Sequence, residues 1–170
     1  MLKRVFYFIE RKRAESFLES IRGWYQTCNQ ISTEIGEALH DQNITHQDIG
    51  AVIDKADRLL MNLSIYVPEA RGLLRRRNPQ LAQRVDLASR QVVQLRNEAT
   101  RFLIRSQGPG PLANGEFSEL LRPFYYYRAL DEAGFKAREI KRRLDQDLKA
   151  IWQDLQIIIV QTEIMLTNHV

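Results

Sequence analysis

The sequence predicts an all-α fold, an antiparallel up-down four-helix bundle with long, coiled-coil-like helices. Apolar residues recur in alternating steps of three and four, a period typical of packed helices and incompatible with strands. Glycine and proline are scarce, with 8 and 5 in 170 residues, and they fall where long helices end or bend. The first two connections are only a few residues long, which favours antiparallel neighbours.

Length and composition indicate a single helical-bundle domain over residues 1–170. Hydrophobic residues make up 44% and charged residues 27%, enough to build a core without disulfides or metals. The longest apolar runs, residues 5–9 and 157–160, are far shorter than the ~20 residues that cross a bilayer. Charged residues at 10–13 interrupt the first run too early for an export signal, and one cysteine allows no internal disulfide. We therefore expect a cytoplasmic location.

The first helix is predicted at about residues 3–40 and the second at about 46–77. Thr45 is the predicted N-cap of the second helix, with Asp48 at its third position. Pro68 is expected to kink this helix without ending it, because the apolar pattern continues in phase. The predicted seams are Ala14, Phe17, Ile21, Trp24, Cys28, Ile31, Ile35 and Ala38 in the first helix, and Ile49, Ile53, Ala56, Leu60, Leu63, Val67, Ala70 and Leu74 in the second.

The third helix is predicted at about residues 79–105, opened by the capping residue Asn78 and by Pro79. A flexible loop rich in Gly and Pro, residues 106–116, precedes a last and longest helix at about 117–168, with a break expected near Gly134. The predicted seams are Leu81, Val85, Ala88, Val92, Leu95, Ala99 and Phe102 in the third helix, and Ile140, Leu144, Leu148, Ile151, Leu155, Ile158, Thr162 and Met165 in the fourth.

The four predicted helices differ in length. The third reaches only ~40 Å at 1.5 Å per residue, so the ends of the first and fourth helices are expected to project beyond it. Projecting apolar seams require a partner, which favours a protein partner or self-association.

Residues suited to catalysis or metal binding are few. The chain has three histidines, one cysteine and no Gly-rich phosphate loop after a strand. Glu37 and His40 form a Glu-x-x-His pair, but the second pair and further inward carboxylates of a di-metal bundle are missing, so we interpret both as solvated. Cys28 occupies a core position and is expected to pack as a small apolar residue with a raised pKa. We predict no enzyme, catalytic residue, metal site, cofactor or small-molecule substrate.

Arginines are concentrated in residues 71–105, which hold nine of them against two acids in a chain of net charge +4. A helical wheel places Arg90, Arg101 and Arg105 opposite the seam of the third helix, with Arg84 and Arg96 flanking it, which predicts a nearly all-positive exposed face. The guanidinium fork suits phosphate or carboxylate. The candidate residues for binding nucleic acid or an acidic partner are Arg71, Arg75, Arg76, Arg77, Arg84, Arg90, Arg96, Arg101 and Arg105.

A structural explanation of these arginines competes with the functional one. Arg75, Arg76 and Arg77 close a helix, where cations interact favourably with the dipole. Acids of the neighbouring helices, such as Asp54 and Asp57, are also available to neutralise part of the charge.

Four successive aromatic residues form a second distinctive feature. They cannot all face one core, so some ring surface is expected at the boundary, where it covers the end of the bundle or anchors a protein partner or unpaired bases. The candidate partner-binding aromatic patch is Phe124, Tyr125, Tyr126, Tyr127 and Arg128.

Three functional hypotheses follow from these features. The first is a non-catalytic helical-bundle interaction module, an adaptor or subunit of a larger assembly, that acts through projecting helices and a basic surface. The alternative is a nucleic-acid-binding helical subunit that contacts phosphates through the arginine-rich face of residues 71–105. The second alternative is a bundle that acts at anionic membranes, through the apolar residues 2–8 and the adjacent Lys3, Arg4, Arg11, Lys12 and Arg13.

Overall fold

Four α-helices make up almost all of the described chain. The computed structural model describes the backbone of residues 2–40, 44–77, 79–107 and 116–167 and, within these ranges, the side chains outside residues 2–10, 65–77, 107, 116–122 and 125. The helices are α1 (Leu2–Ala38), α2 (His46–Arg77), α3 (Pro79–Gln107) and α4 (Glu116–Thr167), and the described ranges contain no strand. The predicted all-α bundle of four helices is confirmed, with bounds close to those expected.

The helices form a ring in which α1 contacts α2 and α4, and α3 contacts α2 and α4. Residue numbers rise along one helix of each contacting pair as they fall along the other. The pairs that show this reversal are Arg22–Glu163 and Leu39–Arg138 between α1 and α4, Trp24–Asn62 and Glu34–Lys55 between α1 and α2, His46–Phe102 and Asp57–Arg96 between α2 and α3, and Arg84–Asp154 and Phe102–Tyr126 between α3 and α4.

The core is aliphatic and draws on all four helices. Every predicted seam residue of α3 is buried, and so are most of those of α4 up to Leu155. In α1, α2 and α4 the buried stripe includes residues beside the predicted seam, whereas in α3 it coincides with the seam. The buried residues outside the predicted seams are Leu18 and Ser32 in α1, Leu39 and Ile44 between α1 and α2, Val52 and Leu59 in α2, and Leu130, Gly134, Ala137 and Ile159 in α4.

The predicted seam of the last helix and the predicted loop before it both need correction. Met165 was assigned to the seam, but its side chain is exposed, so the buried stripe of α4 ends at Ile159. The expected flexible loop is also shorter at both ends, since α3 continues to Gln107 and α4 begins at Glu116. Residues 108–115 of that loop, and the side chains of the seam residues Val67, Ala70 and Leu74, lie outside the described part of the chain.

The break expected near Gly134 does not occur, since α4 is continuous through both Pro123 and Gly134. Gly134 is buried beside Ile44, which belongs to the connection between α1 and α2. A Cβ atom placed on Gly134 would lie 2.5 Å from Ile44 Cδ1, closer than side chains pack. The glycine therefore makes room for a neighbouring side chain and does not end the helix.

A partly buried polar contact joins α1 and α4. Ser32, the buried polar residue of the described core, donates a hydrogen bond to Asp145 Oδ1 at 3.0 Å. Lys141 Nζ lies 2.6 Å from each oxygen of the same carboxylate, and its ammonium packs where Gly36 has no side chain. At the end of α1, Arg138 Nε donates to the Leu39 carbonyl at 2.9 Å, which satisfies a carbonyl that the helix leaves free.

The start of α2 is stabilised by a capping box, as the sequence predicts. The Thr45 N–H donates to Asp48 Oδ2 at 2.7 Å, and the Asp48 N–H donates to Thr45 Oγ1 at 3.2 Å. The Thr45 hydroxyl also donates to this carboxylate, and these hydrogen bonds hold the pKa of Asp48 below its ordinary value. Ile44 and Ile49, on either side of the box, are both buried and complete a hydrophobic staple.

Replacing Thr45 with alanine is expected to lower the free energy of unfolding by about 1 kcal/mol, because α2 loses its N-cap. The folded-state pKa of Asp48 is depressed, so its contribution to stability is present above the unfolded pKa and is lost as the pH falls through the folded pKa. Urea unfolding at about pH 7 and about pH 3, followed by tryptophan fluorescence, should therefore show a smaller difference between wild type and Thr45→Ala in acid. The matched control is Thr33→Ala in the interior of α1, and a pH-independent difference would contradict the assignment.

Among the described residues, none of the helices combines the length and the apolar character that a membrane span requires.

Candidate interaction surface

The arginines of α3 lie on the side of the helix that the wheel predicts. Arg90, Arg101 and Arg105 are exposed, whereas Arg84 and Arg96 are partly covered at the flanks of the helix. Arg71, Arg75, Arg76 and Arg77, which belong to the end of α2, have side chains outside the described part of the chain.

Carboxylates neutralise much of the charge on this face. Arg96 Nε lies 2.5 Å from Asp57 Oδ1 of α2, and Arg84 Nε lies 3.1 Å from Asp154 Oδ2 of α4. The face is therefore less positive than the sequence predicts. The predicted alternative partner Asp57 makes this contact, and Asp154 adds one that the sequence did not indicate.

The three exposed arginines differ in their surroundings. Arg101 Nη1 lies 2.8 Å from Glu98 Oε1 within α3, and Arg105 is close enough to Glu132 of α4 to lower the pKa of that carboxyl, although Lys136 is the main cause of the shift. Arg90 has no hydrogen bond or ion pair to another described side chain. Exposed ion pairs contribute little stability, about 0–1 kcal/mol, so an incoming anion could displace them.

The aromatic patch is divided between the core and the solvent. Tyr126 packs inward, with its ring centroid 6.0 Å from that of Phe102 in α3. Phe124 and Tyr127 are each 63% exposed, and the Tyr127 ring meets Tyr126 edge-on at 5.7 Å. Arg128 is exposed, and the side chain of Tyr125 lies outside the described set. Some ring surface therefore lies at the solvent boundary, as the sequence predicts.

Further apolar side chains continue along the same side of α4. Phe135 is 67% exposed, and near the other end of the helix Ile157, Val160 and Ile164 are 56%, 48% and 50% exposed. Successive helical residues point 100° apart, and this spacing directs five side chains away from the buried stripe: Phe124, Phe135 and the three aliphatic residues. We call this side the outer face of α4, and we call Ile157, Val160 and Ile164 the aliphatic patch.

The aliphatic patch was missed in the sequence, where Ile158 was assigned to the seam and its apolar neighbours were given no role. The run of four apolar residues at 157–160 could have indicated this exposed surface. Successive residues of a helix point 100° apart, so such a run must place apolar side chains on the outside as well as the inside.

The residues considered for chemistry are dispersed. Glu37 and His40 are exposed near the end of α1, as expected. Within the described ranges, no three side chains of the His, Cys, Asp and Glu types converge on one point. Cys28 is buried in the core, and burial raises the pKa of its thiol to about 12, as the sequence predicts in direction.

Cys28 is expected to resist thiol-specific reagents in the folded protein, because the thiolate is the reactive species and the buried thiol stays protonated. Release of the coloured thiolate from an aromatic disulfide reagent measures the reaction. The folded protein should react only as fast as it unfolds, and the same protein in denaturant should release one equivalent at once. Rapid reaction under native conditions would contradict the burial.

Comparison of the chain with protein-family models, with curated proteins and with solved structures gave no significant match.

Proposed function

We propose that this chain is a non-catalytic interaction module, an adaptor or a subunit of a larger assembly, that binds other proteins through the outer face of α4. The observation that carries the proposal is the exposure of large apolar side chains at both ends of that face. The core of the bundle is built from the opposite stripe of α4, and the large apolar side chains of the outer face are about half exposed or more. Clustered exposed apolar surface marks sites of protein–protein contact more often than isolated residues do.

The aromatic end of the outer face has the composition of a binding hot spot. Phe124, Tyr127 and Phe135 offer large rigid rings that bury much area at little cost in side-chain entropy. Arg128 and Asp131 are exposed beside them and supply charges of both signs for orienting a partner. This combination supports a protein partner at the aromatic end.

The test is affinity capture with a variant that removes the exposed rings, Phe124→Ser, Tyr127→Ser and Phe135→Ser. The matched control is Arg142→Ser, Gln146→Ser and Lys149→Ser, three exposed polar residues in the middle of the same helix. Proteins that bind the outer face should be captured equally by wild type and control and at least about tenfold less by the ring variant. Circular dichroism would verify that all three proteins fold, and unchanged capture by the ring variant would contradict the proposal.

Nucleic-acid binding is a second candidate, supported by Arg90, which is exposed and has no ion pair with another described side chain, and by the exposed Arg105. Phosphate contacts would make the affinity fall steeply with salt, and Arg90→Glu with Arg105→Glu should abolish it. Absence of binding at low salt would remove this candidate. The membrane hypothesis depends on residues 2–8, whose side chains are not among those described, and flotation with anionic liposomes remains its test.

A further inference from the structure

We propose that two copies of this chain associate through the aliphatic patch, with their α4 helices antiparallel about a two-fold axis near Val160. This inference rests on the proposed function, because it names one partner for part of the outer face of α4. It concerns the end of that face opposite the aromatic patch, so the two sites are separable.

The charge around the aliphatic patch favours a second copy. Residues 150–167 contain only two charged residues, Asp154 and Glu163. Asp154 contacts Arg84 on the α3 flank, and Glu163 accepts a hydrogen bond from Arg22 on the α1 flank. The outward side of α4 is therefore free of unpaired charge for about 27 Å at 1.5 Å per residue. Such a surface attracts neither an acidic nor a basic partner. The same surface of a second copy can pack against it without bringing like charges together.

The spacing of the patch fits a symmetric contact. A two-fold interface brings the same surface of both copies together, so the surface must complement itself. With the helices antiparallel about Val160, Ile157 of each copy faces Ile164 of the other, and the two Val160 side chains meet near the axis. The steps of three and four between these residues are those of packed helices. Gln153 and Gln161 lie nearby, and their amides can both donate and accept hydrogen bonds across the axis.

The exposed area sets the expected strength of the association. The patch presents on the order of 300 Å², at the lower end of the range for the largest apolar patch of a typical monomer. Stable interfaces bury about 800 Å² per partner, so the patch alone supplies less than half. This predicts a dimer that dissociates in the micromolar range and not an obligate one.

The length of α1 offers the remaining contact. Arg22 of α1 lies beside Glu163 of α4. From that point α4 continues for about 6 Å to Thr167, whereas α1 continues for about 30 Å to Leu2, at 1.5 Å per residue. In the antiparallel dimer the partner's α4 continues in the direction of this extension, which gives the projecting part of α1 a surface to contact.

The experiment is sedimentation velocity over about 1–100 µM protein, a range that brackets the expected affinity. Wild type should change from monomer to dimer across this range. Val160→Lys and Val160→Glu, which place a charge near the axis, should each remain monomeric because like charges would meet there. An equimolar mixture of the two variants should regain a dimer, since opposite charges then face each other.

Met61→Lys introduces a charge at a somewhat more exposed apolar residue of α2 and should dimerise like wild type. A wild type that stays monomeric at all concentrations would overturn the proposal, and so would a dimer that persists in both Val160 variants. Protein capture through Phe124, Tyr127 and Phe135 is measured separately. If wild type is monomeric at all concentrations but captures proteins that the ring variant does not, the dimer is overturned and the proposed function stands.

Discussion

Replacing Leu144 with alanine is expected to lower the free energy of unfolding by about 3 kcal/mol. Leu144 is fully buried near the middle of α4, in the core shared by the four helices. The substitution removes apolar contacts and leaves a cavity that the surrounding helices can only partly fill. Urea denaturation followed by circular dichroism and tryptophan fluorescence measures the loss.

The matched control for Leu144→Ala is Met165→Ala, which truncates an exposed apolar side chain of the same helix. It should change stability by no more than about 0.5 kcal/mol when the protein is dilute enough to be monomeric. Comparable losses in the two variants would show that the buried stripe of α4 does not carry the stability of the bundle.

Alanine at Gly134 is expected to cost about 1 kcal/mol, whereas alanine at Gly23 or Gly50 should stabilise the protein by about 0.5–1 kcal/mol. All three glycines lie inside helices, where alanine is the better helix former. A Cβ at Gly23 or Gly50 meets nothing within 4 Å, but at Gly134 it meets Ile44 Cδ1 at 2.5 Å. Because Ile44 is buried, it cannot move aside freely, and the strain outweighs the gain in helix propensity.

A double-mutant cycle isolates the contact between Gly134 and Ile44. Ile44→Val deletes the Cδ1 atom that a Cβ at Gly134 would meet, and it is expected to cost about 1 kcal/mol by itself. In the Ile44→Val background, Gly134→Ala should become neutral or stabilising, with a coupling of more than about 1 kcal/mol. Strictly additive effects would mean that the cost at position 134 arises elsewhere.

Features that depend on neighbouring residues in the chain were predicted well. The bounds of the four helices, the capping box at Thr45 and Asp48, and the buried stripe of α3 follow from periodicity and capping chemistry, which act over a few residues. The burial of Cys28 follows in the same way from its position in the heptad.

Features that depend on residues far apart in the chain were not predictable by the same means. The break expected at Gly134 was wrong because the reason for the glycine is Ile44, ninety residues earlier in the chain. The charge of the arginine face was overestimated because Asp154 approaches Arg84 only after α3 and α4 have packed. A helical wheel shows which side of a helix is polar, but it does not show which side chains of another helix lie beside it.

The candidate interaction surface was predicted in part. The four successive aromatics indicated ring surface at the boundary, and Phe124 and Tyr127 are exposed there. The aliphatic patch was overlooked because the seam was followed through Ile158 and the residues beside it were given no role. Once the core stripe of α4 is known to pass through Leu155 and Ile159, Ile157, Val160 and Ile164 are left on the outside.

The partly buried contact among Ser32, Lys141 and Asp145 bears on the alignment of α1 with α4. Aliphatic heptads alone would let α1 slide by seven residues and still present an apolar stripe to its neighbour. Such a slide would bring Tyr25 or Leu39 to the place of Ser32, where leucine has no hydroxyl to donate and tyrosine carries its hydroxyl at the far end of a ring. A single serine among aliphatic residues thus favours one register of α1 against α4.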